Sequence, residues 1–315
     1  MVAAMDIESV LQKTGGLATT AELLTMVTHR QLAGLVKAGR LFRVRHGVYA
    51  PSPPDVLGQL AALDLVAREP IVACMGTAAT LYGFDTESTS RLHILDPGVR
   101  MRPSTSLMVH QRIGAPLRRV QGRLATAPAW TVIEVARSLS RPRGLATMDA
   151  ALRIQACSTG ELEAAIRLQK GRRGIVKVRE LIGNADGRAE SPMESEARLV
   201  FIDNQVPTPE LQYSIVDLYG RVWRVDFAWP EAMFVAEYDS VQWHLGRDAL
   251  MHDRLKTARL QECDWLTMPF TVEDVRRAPV DLSDRVKYHL ASRRKSTRTP
   301  GVSGAFASAR ALNAR

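Results

Sequence analysis

Three acidic residues interrupt apolar, β-prone runs in the last third of this 315-residue chain. Asp226 lies in Arg224-Val-Asp226-Phe, and Glu237 and Asp239 lie in Phe234-Val-Ala-Glu237-Tyr-Asp239. A carboxylate inside a sheet is costly unless it is paired or holds a cation. Strand alternation puts Glu237 and Asp239 on one face, with Asp226 beside them on the preceding hairpin arm. Carboxylates converging at a strand end make a hard-oxygen site suited to Mg2+ or Mn2+. Such an ion lowers the pKa of a water and offsets charge on a phosphodiester under in-line attack. Gln242 and His244 follow in a loop. Gln242 is placed to position the attacking water, and His244 to act as acid or base or to donate to phosphate. Asp253, Arg254 and Lys256 either reach back to this site or neutralise local charge. The competing reading makes the acids an ion-paired strand pair, with Arg224 and Arg254 as partners.

The elements that must position these groups are legible around them. Ser191-Pro192-Met-Glu194 is a helix start, with Ser191 as N-cap, Pro192 at the first helical position and Glu194 at the third. Glu194 thereby closes a capping box. Strand-like runs follow at Leu211–Asp217, Val222–Ala228 and Met233–Tyr238, then a helix over about 248–262 and a strand at Trp265–Met268. The order is helix, three strands, helix, strand.

The first fifty residues carry a second kind of chemistry. Thr19 with Glu22, and Thr28 with Gln31, each have capping-box spacing, and Leu23, Leu24, Leu32, Leu35 and Val36 give the helices an apolar face. Gly39 ends the second of these helices, and Leu41–Val44 and Val48–Ala50 read as a hairpin around Arg45-His-Gly47. With a helix near residues 6–13, this order suits a winged helix-turn-helix. His29, Arg30 and Gln31 fall on the first turn of its third helix, where Arg30 suits guanine and Gln31 adenine. Arg43 and Arg45 on the hairpin suit phosphates. The alternative is a small protein-binding domain with these residues as a solvated face.

Pro51-Ser-Pro53-Pro54 reads as a linker. Beyond it, residues 55–83 read as helical, 91–112 as short strands, and 129–182 as helices broken near Pro142 and Gly160. Cys74, His93 and His110 are too scattered in sequence to form a nucleophile–base pair. Gly171-Arg-Arg-Gly174 reads as a basic turn that either touches phosphate or is simply solvated.

Composition bounds the rest. At 46% apolar, 24% charged and 6% aromatic, the chain is globular rather than disordered, collagen-like or coiled coil. No uncharged run reaches the ~18 residues a membrane span needs, since Asp64 and Arg68 interrupt the best stretch. The amino terminus lacks the pattern of a secretory signal. Three dispersed cysteines, Cys74, Cys157 and Cys263, fit neither a disulfide framework nor a zinc site and imply a cytoplasmic setting. The net charge is +9, yet eight basic residues and no acid lie between Arg285 and Arg315, leaving 34 basic against 33 acidic residues over 1–284. The tail beyond about residue 292 reads as disordered, either attracting phosphate or only aiding solubility.

Two resemblances sharpen these expectations. The run Gly15-Gly16-Leu-Ala-Thr19-Thr20, His29-Arg30-Gln31-Leu32, Val36-Lys37-Ala-Gly39-Arg40-Leu-Phe-Arg43-Val-Arg45-His-Gly47-Val-Tyr49-Ala50 resembles the N-terminal winged helix of AbiEi-type antitoxins. That resemblance implies DNA binding and a cognate toxin as partner. Pro128-Ala-Trp130-Thr131 matches a helix-opening motif of the same chains. The C-terminal constellation resembles the PD-(D/E)XK restriction-endonuclease-like superfamily, and within it a domain related to very-short-patch repair endonucleases. The matching residues are Asp226, Glu237-Tyr-Asp239-Ser240, Gln242-Trp-His244 and Asp253-Arg254, with Glu194 as the first-helix acid. Two departures stand out. Asp239 replaces the usual lysine, for which His244 or Lys256 would have to substitute, and Ser240 replaces a glycine. Either change fits an inactive, DNA-holding remnant as well as an enzyme.

The expected architecture is an α+β multidomain chain. It comprises a winged helix-turn-helix over 1–50, a mixed α/β connecting region over 55–185, an αβββαβ restriction-endonuclease-like domain over 190–292, and a basic tail over 293–315. The expected function is DNA binding joined to a Mg-dependent phosphodiesterase, in phage defence or a toxin–antitoxin pair. The alternative is an antitoxin or repressor whose nuclease-like domain is inactive.

Overall fold

A computed structural model describes Ile7, Leu11 and residues 15–88, 90–99, 101–112, 114–240 and 247–296. The chain divides into two compact units, Met1–Gly187 and Arg188–Arg315. The protein is mixed α+β, with three sheets among the described residues. No helix among those residues is long and apolar enough to cross a membrane.

In the first unit both capping boxes close. Thr19 Oγ1 accepts from the Glu22 amide at 3.3 Å while Glu22 takes back the Thr19 N–H at 2.7 Å. Thr28 and Gln31 repeat the exchange at 3.3 and 2.8 Å. The helices Thr20–Leu24 and His29–Lys37 therefore start where their sequence puts them. Phe42–Arg45 (β2) and Val48–Ala50 (β3) form the hairpin, with Gly47 in the left-handed region at φ 78°. Ala18–Thr19 (β1) adds to β3, giving the order β1-β3-β2. Two residues are too few for any alternation signal, so β1 could not be read from sequence. Ile7, Leu11, Leu23, Val27, Leu32 and Leu41 form the core of this part.

Residues 55–83, expected to be helical throughout, form two helices, Val56–Ala67 and Met75–Tyr82, around a buried strand, Val72–Ala73 (β4). The helix stops because Arg68 turns left-handed at φ 59°, and the Asp64 carboxylate accepts the Ile71 N–H at 2.7 Å as the chain reverses. Strands Leu92–Leu95 (β5), Leu107–His110 (β6), Leu117–Val120 (β7) and Arg123–Thr126 (β8) complete a sheet ordered β6-β5-β4-β8-β7. Four helices follow: Pro128–Ser138, Arg141–Arg153, Thr159–Leu168 and Ile175–Leu181. The break expected near Gly160 lies just ahead of it, where Ser158 caps a helix that contains the glycine.

The second unit opens with the helix Pro192–Asp203. Strands Glu210–Val216 (β9), Val222–Trp229 (β10) and Phe234–Tyr238 (β11) pair antiparallel in succession. After the helix Arg247–Glu262, strand Leu266–Phe270 (β12) returns parallel to β11. The sheet order is β12-β11-β10-β9. Met193, Ala197 and Phe201 of the first helix, with Leu282, Val286 and Leu290 of the last helix, Pro279–Ser296, pack on one face. Leu260 of the intervening helix packs on the other with Trp223, Val225 and Trp265.

That last helix corrects the expected tail boundary at 293. It runs through Ser296, and Arg293 is held by the carbonyls of Ala232 and Met233 at 3.0 and 3.3 Å. Arg285 pairs with Asp274 at 2.9 Å and Lys287 lies 3.8 Å from Asp284, so part of the terminal basic charge is neutralised within the fold. Residues 297–315 lie outside the described residues.

Candidate functional site

Strands β9 and β10 change character at one point. Leu211, Phe227 and Trp229 belong to the core beneath the Pro192–Asp203 helix, whereas Tyr213, Ile215, Trp223 and Val225 belong to the opposite one. Strict alternation would put all these odd-numbered residues on one face. The switch falls at Gln212 and Asp226, the one pair absent from an otherwise continuous register between Val222↔Val216 and Ala228↔Glu210. Gln212 has φ 51°, a left-handed conformation that costs a non-glycine residue about 1–3 kcal/mol. The ladder is opened here, and side chains from both faces reach the opening.

From one face comes Glu194. Its carboxylate accepts the Glu190 N–H at 2.9 Å and the Gln212 amide at 2.8 Å. The expected capping box is therefore half made: Ser191 Oγ accepts the Glu194 N–H at 3.2 Å, but the Glu194 side chain turns to the sheet instead of back to Ser191. The same Gln212 nitrogen lies 3.5 Å from Asp226 Oδ1, and Asp226 Oδ2 accepts the Tyr238 N–H at 2.9 Å. From the other face comes Glu237. Continuing the Phe227↔Ala236 register by one step sets it across from Asp226. Lys256, on the helix Arg247–Glu262, forms an ion pair with Glu237, and both side chains are largely buried.

The electrostatics follow this arrangement. Burial raises the pKa of all three carboxyls. The charge of Asp226 adds to the rise at Glu194, and that of Glu237 adds to the rise at Asp226. Asp253 raises Glu237 further while Lys256 opposes it. Buried carboxyls that raise one another mark a place where a cation is favoured. Among the described residues, however, no three His, Cys, Asp or Glu side chains converge closely enough to hold a metal by themselves.

Glu194, Asp226, Glu237 and Lys256 are thus brought together, with Asp253 close enough to act on Glu237 electrostatically. Asp239 is exposed, just past the end of β11, where its amide donates to the Phe270 carbonyl at 2.8 Å. Its charge acts on the Tyr238 hydroxyl. Gln242 and His244 lie outside the described residues. Arg224 pairs with Glu190 at 2.6 Å rather than with the strand acids, and the ion-pair partner of Glu237 is Lys256. Sequence reasoning missed Gln212. Its one signal is a glutamine at the centre of an apolar strand.

At the amino-terminal candidate interface, His29, Arg30, Gln31 and Arg43 are exposed. Gln31 Oε1 is occupied by the Thr28 amide and hydroxyl, at 2.8 and 3.0 Å. Bidentate adenine recognition needs that oxygen, so Gln31 reads a base only by giving up its cap. Arg43 contacts His46 Nδ1 at 2.6 Å. Arg45 does not face outward as expected: it is half-buried and donates to Ser106 Oγ at 2.8 Å, and burial lowers its pKa. The hairpin arginine is folded into the first unit's own body.

Two further residues correct the sequence reading. His93 and His110 are brought to 2.9 Å, Nδ1 to Nε2, by the parallel pairing of β5 and β6. The fully buried Cys74 has its thiol pushed well above its ordinary pKa, by burial first and then Glu134, which keeps it from acting as a nucleophile.

The first unit's middle region defines a class: residues 71–184 match the family model of the AbiEi antitoxin C-terminal domain. The stretch read from sequence as a connecting region is therefore similar to that antitoxin domain. Two uncharacterized proteins, from two strains of Mycobacterium tuberculosis, are each 59% identical to this chain over 264 residues, covering 84% of it and 97% of their own length. The chain belongs to one family with these mycobacterial proteins.

Proposed function

We propose that the protein is an antitoxin-type DNA-binding regulator whose second unit is a metal-dependent phosphodiesterase of the restriction-endonuclease-like kind. The observation that carries this reading is the chain of buried acids at an opened strand pair, Glu194 coupled to Asp226 and Asp226 to Glu237, with Lys256 supplying a cation. The order helix, three strands, helix, strand supports it. Asp226, Glu237 and Glu194 are hard oxygen donors that fit Mg2+ or Mn2+, which commonly takes one or two protein carboxylates and completes its shell with water and substrate phosphate. Bound there, the ion would offset phosphodiester charge and lower the pKa of a water. The protein's residues have separate duties. Asp226 is held by the Tyr238 amide, and Lys256 delivers positive charge to a strand whose usual lysine position is Asp239. In the first unit, His29 and Arg30 are presented for base edges and Arg43 for phosphate, on a winged-helix arrangement.

A second reading is favoured by the match over residues 71–184: an antitoxin or repressor in which the second unit is scaffold only. Cleavage assays on duplex DNA with Mg2+ or Mn2+ separate the two. Cutting by the wild type that vanishes in Asp226→Ala and Glu237→Ala supports the phosphodiesterase. Binding without cleavage under either metal leaves the repressor. A toxin encoded beside this gene would support the antitoxin role under both.

A further inference from the structure

Gln212 is the residue at the opened strand pair to which the chemistry above gives no duty. It adopts a left-handed conformation in mid-strand, where no turn requires one, and its amide nitrogen is aimed between two acids. We propose that Gln212 is a positioning residue that holds Glu194 and Asp226 in register for a divalent cation, its amide nitrogen spanning them where the ion would sit and yielding when the ion binds. The inference rests on the phosphodiesterase reading.

Three observations support it. The nitrogen bridges an acid on a helix and an acid on a strand, so it links the positions of two groups that belong to different elements. A neutral amide supplies hydrogen bonds but no charge, so it occupies the gap between the two acids without neutralising either. The spacing is also set by the donor. Nitrogen–oxygen separations of 2.8 and 3.5 Å exceed the roughly 2.1 Å of Mg2+–oxygen bonds, so an ion and the amide compete for the same oxygens. The terminal torsion of a glutamine is a soft rotor, which allows the amide to swing away.

The test is thermal unfolding of the full chain in EDTA and across a Mn2+ titration, for wild type, Gln212→Met, Gln212→Asn and Asp226→Asn. Wild type should gain stability with Mn2+, and Asp226→Asn should lose that gain. Gln212→Met, similar in length but without the amide, should unfold earlier in EDTA. Its half-saturating Mn2+ concentration should be about five- to tenfold lower, the loss of one competing hydrogen bond. Gln212→Asn tolerates the left-handed backbone but is too short to span the gap. It should move in the same direction, and it serves should the methionine variant not fold. An unchanged half-saturation in both Gln212 variants, with Asp226→Asn still unresponsive, would overturn the positioning role and leave the metal reading standing. A wild type indifferent to Mn2+ would overturn both.

Discussion

Lys256 reaches from the helix after β11 to pair with Glu237, and so sets a cation against an acid on the strand. The ion pair is largely buried, and removing one member of such a pair strands the other charge. Lys256→Met should therefore cost about 2 kcal/mol of stability at neutral pH. It should also abolish any cleavage. Denaturant unfolding checks the first, and a stability equal to wild type would show that the pair is not made in solution.

Asp226→Asn should stabilise. The carboxyl is held above its ordinary pKa by burial and then by Glu237, so at neutral pH its ionised form works against folding. An isosteric amide removes that penalty while leaving a group that can accept from the Tyr238 amide. A variant more stable and metal-blind is the signature of a functional carboxylate. A fall in unfolding midpoint in EDTA would count against it.

The pH dependence has a defined sign. Glu194, Asp226 and Glu237 all have folded pKa values above those of the unfolded chain. The folded state therefore binds protons more tightly. The contribution of these groups is fullest below the unfolded value and is lost as pH rises through the raised folded values. Stability measured without metal should rise on mild acidification from neutral pH, and Asp226→Asn should flatten that slope. A steeper fall on acidification in wild type than in Asp226→Asn would contradict it. Asp274 has the opposite sign: hydrogen bonds from Thr271 and pairing with Arg285 outweigh its burial, so its share is lost in strong acid.

At the amino terminus the three candidate contacts should separate. Arg30→Ala should weaken DNA binding and reduce the salt slope by about one if it meets phosphate, or relax sequence preference if it meets a base. Gln31→Ala should instead cost about 1 kcal/mol of stability through its lost cap. Arg45→Ala should act through its lost contact to Ser106 rather than through DNA. Titrating labelled duplex at several salt concentrations, beside thermal unfolding, distinguishes these outcomes. Arg30→Ala binding like wild type would remove that helix from the interface.

Local chemistry in the sequence determined a good deal of this protein. The capping residues Thr19, Thr28 and Ser191 start their helices by bonds to neighbours within three positions, and the glycine-turned hairpin ends at Ala50. The succession of elements from Pro192 to Phe270 followed from runs whose periodicity is set by burial on each face. The acids at 226 and 237 stood out because a buried strand has no ordinary use for them.

Tertiary structure alone decided what those acids meet. Gln212 is an inconspicuous residue until the face switch at 212 and 226 opens the ladder and aims its amide. Glu194 leaves its capping box because the sheet offers it a second donor. Lys256 finds Glu237 across nineteen positions of chain, and His93 finds His110 through a parallel strand pair. Contacts of that range depend on how helices and sheets pack, which the spacing of residues along the chain does not encode.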